Sequence, residues 1–256
     1  MPAPLQPWSS TSYDIRANGV SVPESTITYA PRETFTNVSE VTTDAGRWYS
    51  YENIFYPSIT TMIKATDFEG TKALQEWRER VGTEAATRIT TTSAAKGTRW
   101  HRFSELFFMK KPTWPCLTDV KDVPYGATLG HLLNEKIETV IASESRVISP
   151  RYGLAGRVDV GVKLHDGRSA IIDFKTGRRE KSGNRLENYF IQTTFYADAL
   201  TDVWEDETID TVIIVQLLPN SIVWQESHVD HWRPKLTAKI EHYAHILNES
   251  METTPK

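Results

Sequence analysis

The sequence contains very little cysteine and no long apolar stretch. Only one of the 256 residues, Cys116, is a cysteine, which excludes an intrachain disulfide framework and a cysteine-ligated iron–sulfur cluster. No apolar run approaches the roughly 18 residues that a membrane-spanning helix needs. The segment from Met1 to Leu5 lacks both the apolar core of a secretory signal and the arginine-rich pattern of a transit peptide. We therefore expect a cytoplasmic protein in a reducing setting, without a membrane partner.

A strong excess of charge of one sign is also missing. A net charge of −4 with 24% charged residues describes an ordinary globular protein, and the chain is long enough to bury one elaborated core. The mild acidity does not exclude a nucleic acid partner, because local clusters of cations matter more than the sum. The first basic cluster contains Arg78, Arg80, Arg88, Lys96, Arg99, Arg102, Lys110 and Lys111, and the second contains Arg178, Arg179, Lys181 and Arg185. Each cluster alone is equally consistent with a solvated surface.

Apolar periodicity predicts a strand-rich start, then helices, then a sheet. Residues 1–50 predict a tail and a β-rich extension, and residues 51–256 a main domain with a loop or lid over 110–124. A helix is predicted over residues 59–65, with Ser58 as its N-cap, and another is predicted to begin near residue 94. The other predicted helices span residues 70–91, 128–137, 186–204 and 231–248. Strands are predicted over residues 138–148, 156–164, 168–175, 211–218 and 222–228. This order predicts an α/β fold in which helices flank a mixed central sheet.

The most informative segment is Asp173-Phe174-Lys175, which ends an apolar run. Successive side chains of a β-strand alternate between faces, so Asp173 and Lys175 share one face while Ile172 and Phe174 point into the core. An acid beside an amine is costly for packing alone, but it suits a site that holds a divalent cation and an activated water next to a phosphate. Taken by itself, the pattern is also consistent with an ion pair on an exposed strand.

A second acid, Asp159, lies in segment 156–160, where valines alternate with it. A predicted hairpin joins its strand to that of Asp173, so both carboxylates and Lys175 can share one sheet face. Two carboxylates this close repel each other unless a cation lies between them. Such oxygen ligands suit Mg²⁺, which keeps several waters, whereas Mn²⁺ also accepts a nitrogen ligand such as His101.

Two helical pairs flank these strands in the sequence. His101 is followed by Glu105, and Gln192 is followed by Tyr196, each one turn later on the same helix face. A pair such as Gln192 and Tyr196 can hold a backbone phosphate or a stacked base. An ordinary polar helix face would look the same at this level.

Four motifs in this order resemble the RecB-type branch of the PD-(D/E)XK nuclease superfamily. They are G-T-x-x-H at 97–101, G-x-x-D at 156–159, D-x-K at 173–175 and Q-x-x-x-Y at 192–196. Residues 56–63, which read Y-P-S-I-T-T-M-I, are similar to a segment of a narrower group that contains the mitochondrial genome maintenance exonuclease and related phage-encoded nucleases. The W-R-x-R-V-G at 77–82 also fits that group. The resemblance covers residues 47–205 and implies a restriction-endonuclease-like core.

The resemblance also implies roles for individual residues. Asp159 and Asp173 would bind Mg²⁺ or Mn²⁺, with His101 as an additional ligand, and Lys175 would orient the attacking water. The residues expected to contact or support DNA are Gln192, Tyr196, Arg99, Arg178 and Ser58. Glu144 precedes the Asp159 strand where some relatives carry a further acid. The acid before the lysine is Asp rather than Glu, and the cysteine set of iron–sulfur relatives is missing.

The function implied by the resemblance is a metal-dependent exonuclease acting on single-stranded DNA ends, in replication, recombination or repair, with a phage origin fitting the group. Trp100, Phe103 and Trp114 lie near the first basic cluster and either stack bases or belong to the core. A structure-specific endonuclease on the same core is an alternative, as is a catalytically silent DNA-binding module. A small-molecule enzyme is less favoured, because the sequence shows no glycine-rich phosphate loop and no Ser/His/Asp set can be placed in it.

Overall fold

The computed structural model describes residues 7–15 and 21–252. The strands are β1 Trp8–Asp14, β2 Thr28–Tyr29, β3 Ser39–Thr43, β4 Gly46–Tyr51, β5 Ile54–Pro57, β6 Ile137–Ser149, β7 Leu154–Leu164, β8 Ser169–Thr176, β9 Thr211–Leu217 and β10 Ser221–His228. The helices are α1 Ile59–Thr66, α2 Phe68–Val81, α3 Thr83–Phe108, α4 Asp122–Lys136, α5 Gly183–Val203 and α6 Val229–Glu252. A short 3₁₀ helix spans Trp114–Cys116.

Seven strands form a mixed sheet in the order β1-β10-β9-β8-β7-β6-β2, and β3, β4 and β5 form a separate three-stranded sheet. Strands β8 and β9 are parallel, as are β2 and β6, while the other neighbours are antiparallel. The predicted fold class is confirmed: helices flank a mixed sheet, and an additional sheet lies near the N-terminus. Strands β1 and β2 both form edges of the large sheet. The predicted domain boundary between residues 50 and 51 stays a prediction.

Helices cover both faces of the large sheet. On one face, Trp100 and Phe103 of α3 and residues of α4 pack with Ile172 and Phe174 of β8. On the other face, α1, α5 and α6 pack against the sheet, with Ile171 of β8 in their core. The predicted alternation along β8 is therefore confirmed. Because β8 is covered on both sides, its residues from Ser169 to Phe174 are buried, and only Lys175 and Thr176 at its end are partly exposed.

Helix α3 runs without a break from Thr83 to Phe108, so the predicted start of a new helix near Ala94 is wrong. The sequence between the two predicted helices is rich in threonine, which favours helices weakly. Here the hydroxyls of Thr90 and Thr92 donate to the carbonyls of Ala86 and Arg88, each at 2.8 Å. The hydroxyls thus find partners inside the helix, and the helix continues.

The segment predicted as a loop over 110–124 is shorter than expected. It contains the 3₁₀ helix, and α4 begins at Asp122 rather than near residue 128. Pro124 falls in the first turn of α4, where a missing N–H costs no intrahelical hydrogen bond. The aromatic residues of this region separate clearly: Trp100 and Phe103 are core residues, whereas Trp114 is 73% exposed.

Within residues 7–15 and 21–252, no helix has both the length and the hydropathy to cross a membrane. The segment Met1 to Leu5, on which the expectation about export rests, lies outside the described residues.

Candidate active site

The candidate site lies at a fork between β7 and β8. The ladder between these strands ends at the pair Val160 and Ile172. Beyond this pair, the backbone of Phe174 bonds to two side chains instead of to β7. Its N–H donates to Asp159 Oδ2 (2.9 Å), and its carbonyl lies 2.9 Å from His101 Nε2. The two strands therefore diverge, while Asp159 and His101 are both anchored to β8.

This contact also fixes the tautomer of His101. A carbonyl oxygen can only accept, so Nε2 carries the hydrogen and donates it to Phe174. In the neutral imidazole, Nδ1 then has a free lone pair, and it lies 3.4 Å from Asp159 Oδ2. Metal-binding histidines characteristically donate their second ring N–H to a carbonyl or carboxylate in this way.

Glu144 of β6 joins these two residues. It lies between Ser143 and Ser145, whose partners on β7 place it opposite Asp159. Its φ of 48° is in the left-handed region, which non-glycine residues rarely adopt and which often marks functional sites. One ligand atom each from Glu144, His101 and Asp159 lies within 4.8 Å of the others. Burial and then the charge of Asp159 raise the pKa of the Glu144 carboxyl, which is the effect that a cation would relieve.

Asp173 is the most buried acid of the site, with 1% of its surface exposed. Its Oδ1 accepts a hydrogen bond from Gln192 Nε2 (3.2 Å). Its Oδ2 lies 2.6 Å from Lys175 Nζ in an ion pair, and apart from this lysine the oxygen has no hydrogen-bond donor among the described residues. Burial raises the pKa of Asp173 to about 6, with Lys175 opposing this shift and Asp159 adding to it. A buried carboxylate oxygen with a single partner keeps a lone pair that a metal ion can use.

Lys175 lies beside this acid with 23% of its side chain exposed. Its Nζ donates to Gln192 Oε1 (3.4 Å) and lies 5.0 Å from the ring centre of Tyr189. Burial disfavours the ammonium, but Asp173 and then Asp159 outweigh that effect and hold the pKa of Lys175 above its ordinary value. The lysine is therefore a cation fixed at the edge of the site.

Gln192 and Tyr196 of α5 stand directly against Asp173. Gln192 Nε2 also donates to the hydroxyl of Tyr196 (3.0 Å). The Tyr196 ring packs so closely on β7 that a Cβ at Gly156 would lie 2.5 Å from it. The glycine of G-x-x-D is thus explained by the approach of Tyr196, because any larger residue would displace the ring.

Two of the residues expected to contact DNA lie outside the cluster of acids. Arg99 is paired with Asp122 through two hydrogen bonds (2.8 and 3.3 Å) and also contacts Thr118. It lies two residues before His101, so the helix points the two side chains about 160° apart. Arg178 lies exposed in the loop between β8 and α5.

Ser58 has a structural position. It is buried, and its hydroxyl accepts from the N–H of Thr61 (3.0 Å) as the N-cap of α1, as predicted. Its backbone pairs with Ala155, next to Gly156. Ser58 therefore connects the small sheet and α1 to the strand that carries Asp159, and its predicted contact with DNA stays a prediction.

The residues present fit a divalent metal ion. Two carboxylates, Asp159 and Glu144, and the imidazole of His101 offer ligand atoms within 4.8 Å of one another, a donor set that suits Mg²⁺ or Mn²⁺. Asp173, predicted as a ligand, is not among these three and is paired with Lys175 instead. Carboxylates clustered beside a lysine, at the fork of two central strands of a mixed sheet, are typical of a metal-dependent nuclease.

Comparison with known proteins gives the same class. The sequence model of the PD-(D/E)XK nuclease superfamily matches residues 62–256, and the chain belongs to this superfamily. No curated protein matches the chain.

The sequence motifs alone do not indicate Tyr189 or the position of Glu144 in the site. Tyr189 lies three residues before Gln192, one turn earlier on α5, and this spacing could have indicated it. Glu144 faces Asp159 only in the register of β6 and β7, which contains irregularities after Ile137 and after Val140. No local sequence pattern specifies that register.

Proposed function

We propose that the chain is a divalent-metal-dependent exonuclease that hydrolyses phosphodiester bonds at the ends of single-stranded DNA, in replication, recombination or repair. We place it in the RecB-like branch, near the mitochondrial genome maintenance exonuclease and its phage-encoded relatives, because the four motifs occur in that order. The observation that carries the proposal is the group of ligand atoms from His101, Glu144 and Asp159, with the Asp173–Lys175 pair on the neighbouring strand β8. A cytoplasmic setting is supported by Cys116, which is buried and unpaired.

Asp159 and Asp173 are the proposed principal metal ligands, with His101 and Glu144 beside them. When bound, Mg²⁺ or Mn²⁺ supplies a charge that polarises a phosphate and lowers the pKa of a coordinated water. The protein contributes ligands that are already in place. Phe174 holds both Asp159 and His101 through its backbone, so little reorganisation accompanies the reaction.

Lys175 is the proposed residue that handles charge during hydrolysis. Asp173 and Asp159 keep it protonated, so its Nζ can donate to the attacking water and to a phosphate oxygen. Donation stabilises the negative charge that develops as the new P–O bond forms. Gln192 positions both groups, because its amide accepts from Lys175 and donates to Asp173.

Exposed groups on α3 and on the segment after it support a single-stranded substrate. Trp114 is exposed in a groove of about 750 Å³ that Arg102 and Lys111 also line. An exposed indole can stack an unpaired base, with about 1–3 kcal/mol per base. We propose the segment around Trp114 as part of an arch over the strand. The proposed DNA contacts are Gln192, Tyr196, Arg99, Arg178 and Ser58.

Labelled DNA tests this proposal directly. Linear single strands and duplexes, labelled at either the 5′ or the 3′ end, are incubated with the protein and Mg²⁺ or Mn²⁺, next to circular single-stranded DNA. We expect linear single strands to be degraded and circles to stay intact. Lys175→Ala should lose cleavage, whereas Lys163→Ala should not. Lys163 is the matched control because it is also a strand lysine in an ion pair, with Glu207 at 2.9 Å.

The outcomes separate the candidate activities. Cleavage of the circles would make the protein an endonuclease on the same core. DNA binding without product under any metal condition would favour a silent binding module. Equal activity of Lys175→Ala and the wild type would contradict the assignment of Lys175.

A further inference from the structure

A second cluster of buried polar side chains lies next to the candidate site, on β9 and β10. Gln216 is 1% exposed, and its Cα pairs with that of Lys175 in the parallel ladder. Its neighbours along β9, Val215 and Leu217, are fully buried apolar residues. Gln225 of β10 is also buried and accepts from Gln216 Nε2 (2.6 Å). Two buried amides in apolar strands are costly unless every donor and acceptor has a partner.

The remaining hydrogen bonds of both amides go to one loop. The N–H of Lys181 donates to Gln216 Oε1 (2.7 Å), and Gln216 Nε2 donates to the carbonyl of Lys181 (3.1 Å). Gln225 Nε2 donates to Glu180 (3.2 Å). The Gln216 side chain therefore replaces a backbone partner for the loop, and it fixes that peptide in position and orientation.

The fixed loop, residues 177–182, follows directly after β8 and carries the second basic cluster. Arg178 and Arg179 are exposed, and neither forms an ion pair within the described part of the chain. The pKa of Lys181 is lowered by burial and then by the charges of Arg185 and Arg179. Cations held this close repel one another, and an anion bound among them would relieve that repulsion.

We infer that Gln216 and Gln225 are positioning residues that hold the loop at 177–182 as a preformed site for DNA phosphates beside Lys175. Arg178 and Arg179 supply the charge, and the two amides supply the geometry. The inference rests on the proposed function and names the part of the protein that guides the substrate strand. A strand bound there leads toward Lys175, because only the end of β8 separates the loop from the lysine.

The test is the salt dependence of DNA binding by the full chain. Anisotropy of a short fluorescent single strand is measured in EDTA, so that no hydrolysis occurs. The slope of log K against log salt is negative, and each lost phosphate contact lowers its magnitude by about 0.7 for single strands. We expect Arg178→Ala with Arg179→Ala to lower it by about 1.4, and Gln216→Met to lower it by about 1. Adding Gln216→Met to the double arginine variant should change the slope no further.

A matched control separates positioning from loss of stability. Ser227→Ala removes a buried hydroxyl of β10 that donates to the carbonyl of Pro7 (2.7 Å) and accepts from Trp232 (2.8 Å). It destabilises the same sheet without touching the loop, and its slope should equal that of the wild type. If Gln216→Met does not fold, Gln225→Met takes its place, because it releases the loop at Glu180.

Each outcome decides a different point. A wild-type slope in Gln216→Met, or a further loss when it is combined with the arginine variants, would overturn the inference alone. A wild-type protein that does not bind DNA would overturn the proposed function, and the inference with it.

Discussion

Two buried aspartates on the same side of the large sheet differ in how far their oxygens are satisfied. Asp198 of α5 is 2% exposed. Arg233 donates to its Oδ1 (2.8 and 3.0 Å), and the hydroxyl of Tyr152 donates to its Oδ2 (2.7 Å). Asp173 is as buried, but Gln192 is the one hydrogen-bond donor to its Oδ1, and its Oδ2 has only Lys175 as a partner among the described residues. Burial is the same in both cases, so the number of donors makes the difference.

The comparison separates a structural acid from an acid that is available to bind a ligand. Burying a carboxylate without donors destabilises a fold, and folds usually supply the donors. Asp198 has them and joins α5 to α6 and to the turn before β7. Asp173 has only Gln192 and Lys175 as partners among the described residues and lies beside the group formed by Asp159, Glu144 and His101, on the strand next to that of Asp159.

The largest effect is expected from Lys175→Met. The substitution keeps the volume of the side chain but removes the ammonium that stabilises charge on the phosphate. Cleavage should fall by about 10²- to 10³-fold or more, measured as product released from labelled single-stranded DNA. Lys163→Met is the control and should cleave at the wild-type rate; a comparable loss there would show that the effect is not specific to the site.

A smaller effect is expected from Asp159→Asn, and it concerns the affinity for the metal ion. The amide keeps the shape but loses the charge, so affinity for Mn²⁺ should fall by at least about 100-fold, which exceeds typical effects of residues that only support a ligand. Calorimetric titration measures it. Unchanged affinity would remove Asp159 from the ligand set and leave Asp173 without a partner acid.

Glu144→Gln measures how much this acid contributes to the metal affinity. Glu144 lies partly exposed and is also paired with Arg157 (3.2 Å), so its share of the metal affinity should be smaller, about 10-fold. The same titration reports it. A loss as large as that of Asp159→Asn would make Glu144 a principal ligand.

Asp198→Asn should leave cleavage unchanged per folded molecule. It weakens the hydrogen bonds from Arg233 and Tyr152, so the free energy of unfolding should fall by about 2–3 kcal/mol. Urea unfolding measures the stability, and the cleavage assay is run well below the midpoint. A specific loss of activity in the folded protein would argue against the distinction between the two acids.

Much of this site could be predicted from the sequence because it depends on local rules. The alternation along β8 and the hairpin to β7 bring Asp159, Asp173 and Lys175 together, and the structure has them in one cluster. The position of Glu144 depends on a register shift in β6, and the continuity of α3 depends on threonine hydroxyls that bond within the helix. These features follow from tertiary contacts and not from local pattern.

The pairing partners of the two edge strands could not be predicted from local sequence pattern either. Strand β1 pairs with β10, more than 200 residues away in the chain, and β2 adds in parallel to β6. Short polar strands such as β1 carry no signal for their partner, because the pairing is decided by which edge is free once the sheet has formed.

The most direct test of the account compares Asp173→Asn with Asp198→Asn in one cleavage assay. Both variants exchange a buried carboxylate for an amide, and both are assayed with Mg²⁺ or Mn²⁺ under conditions where circular dichroism shows them folded. We expect no detectable product from Asp173→Asn and a wild-type rate from Asp198→Asn. Equal rates of the two variants would contradict the claim that Asp173 belongs to a metal-dependent nuclease site.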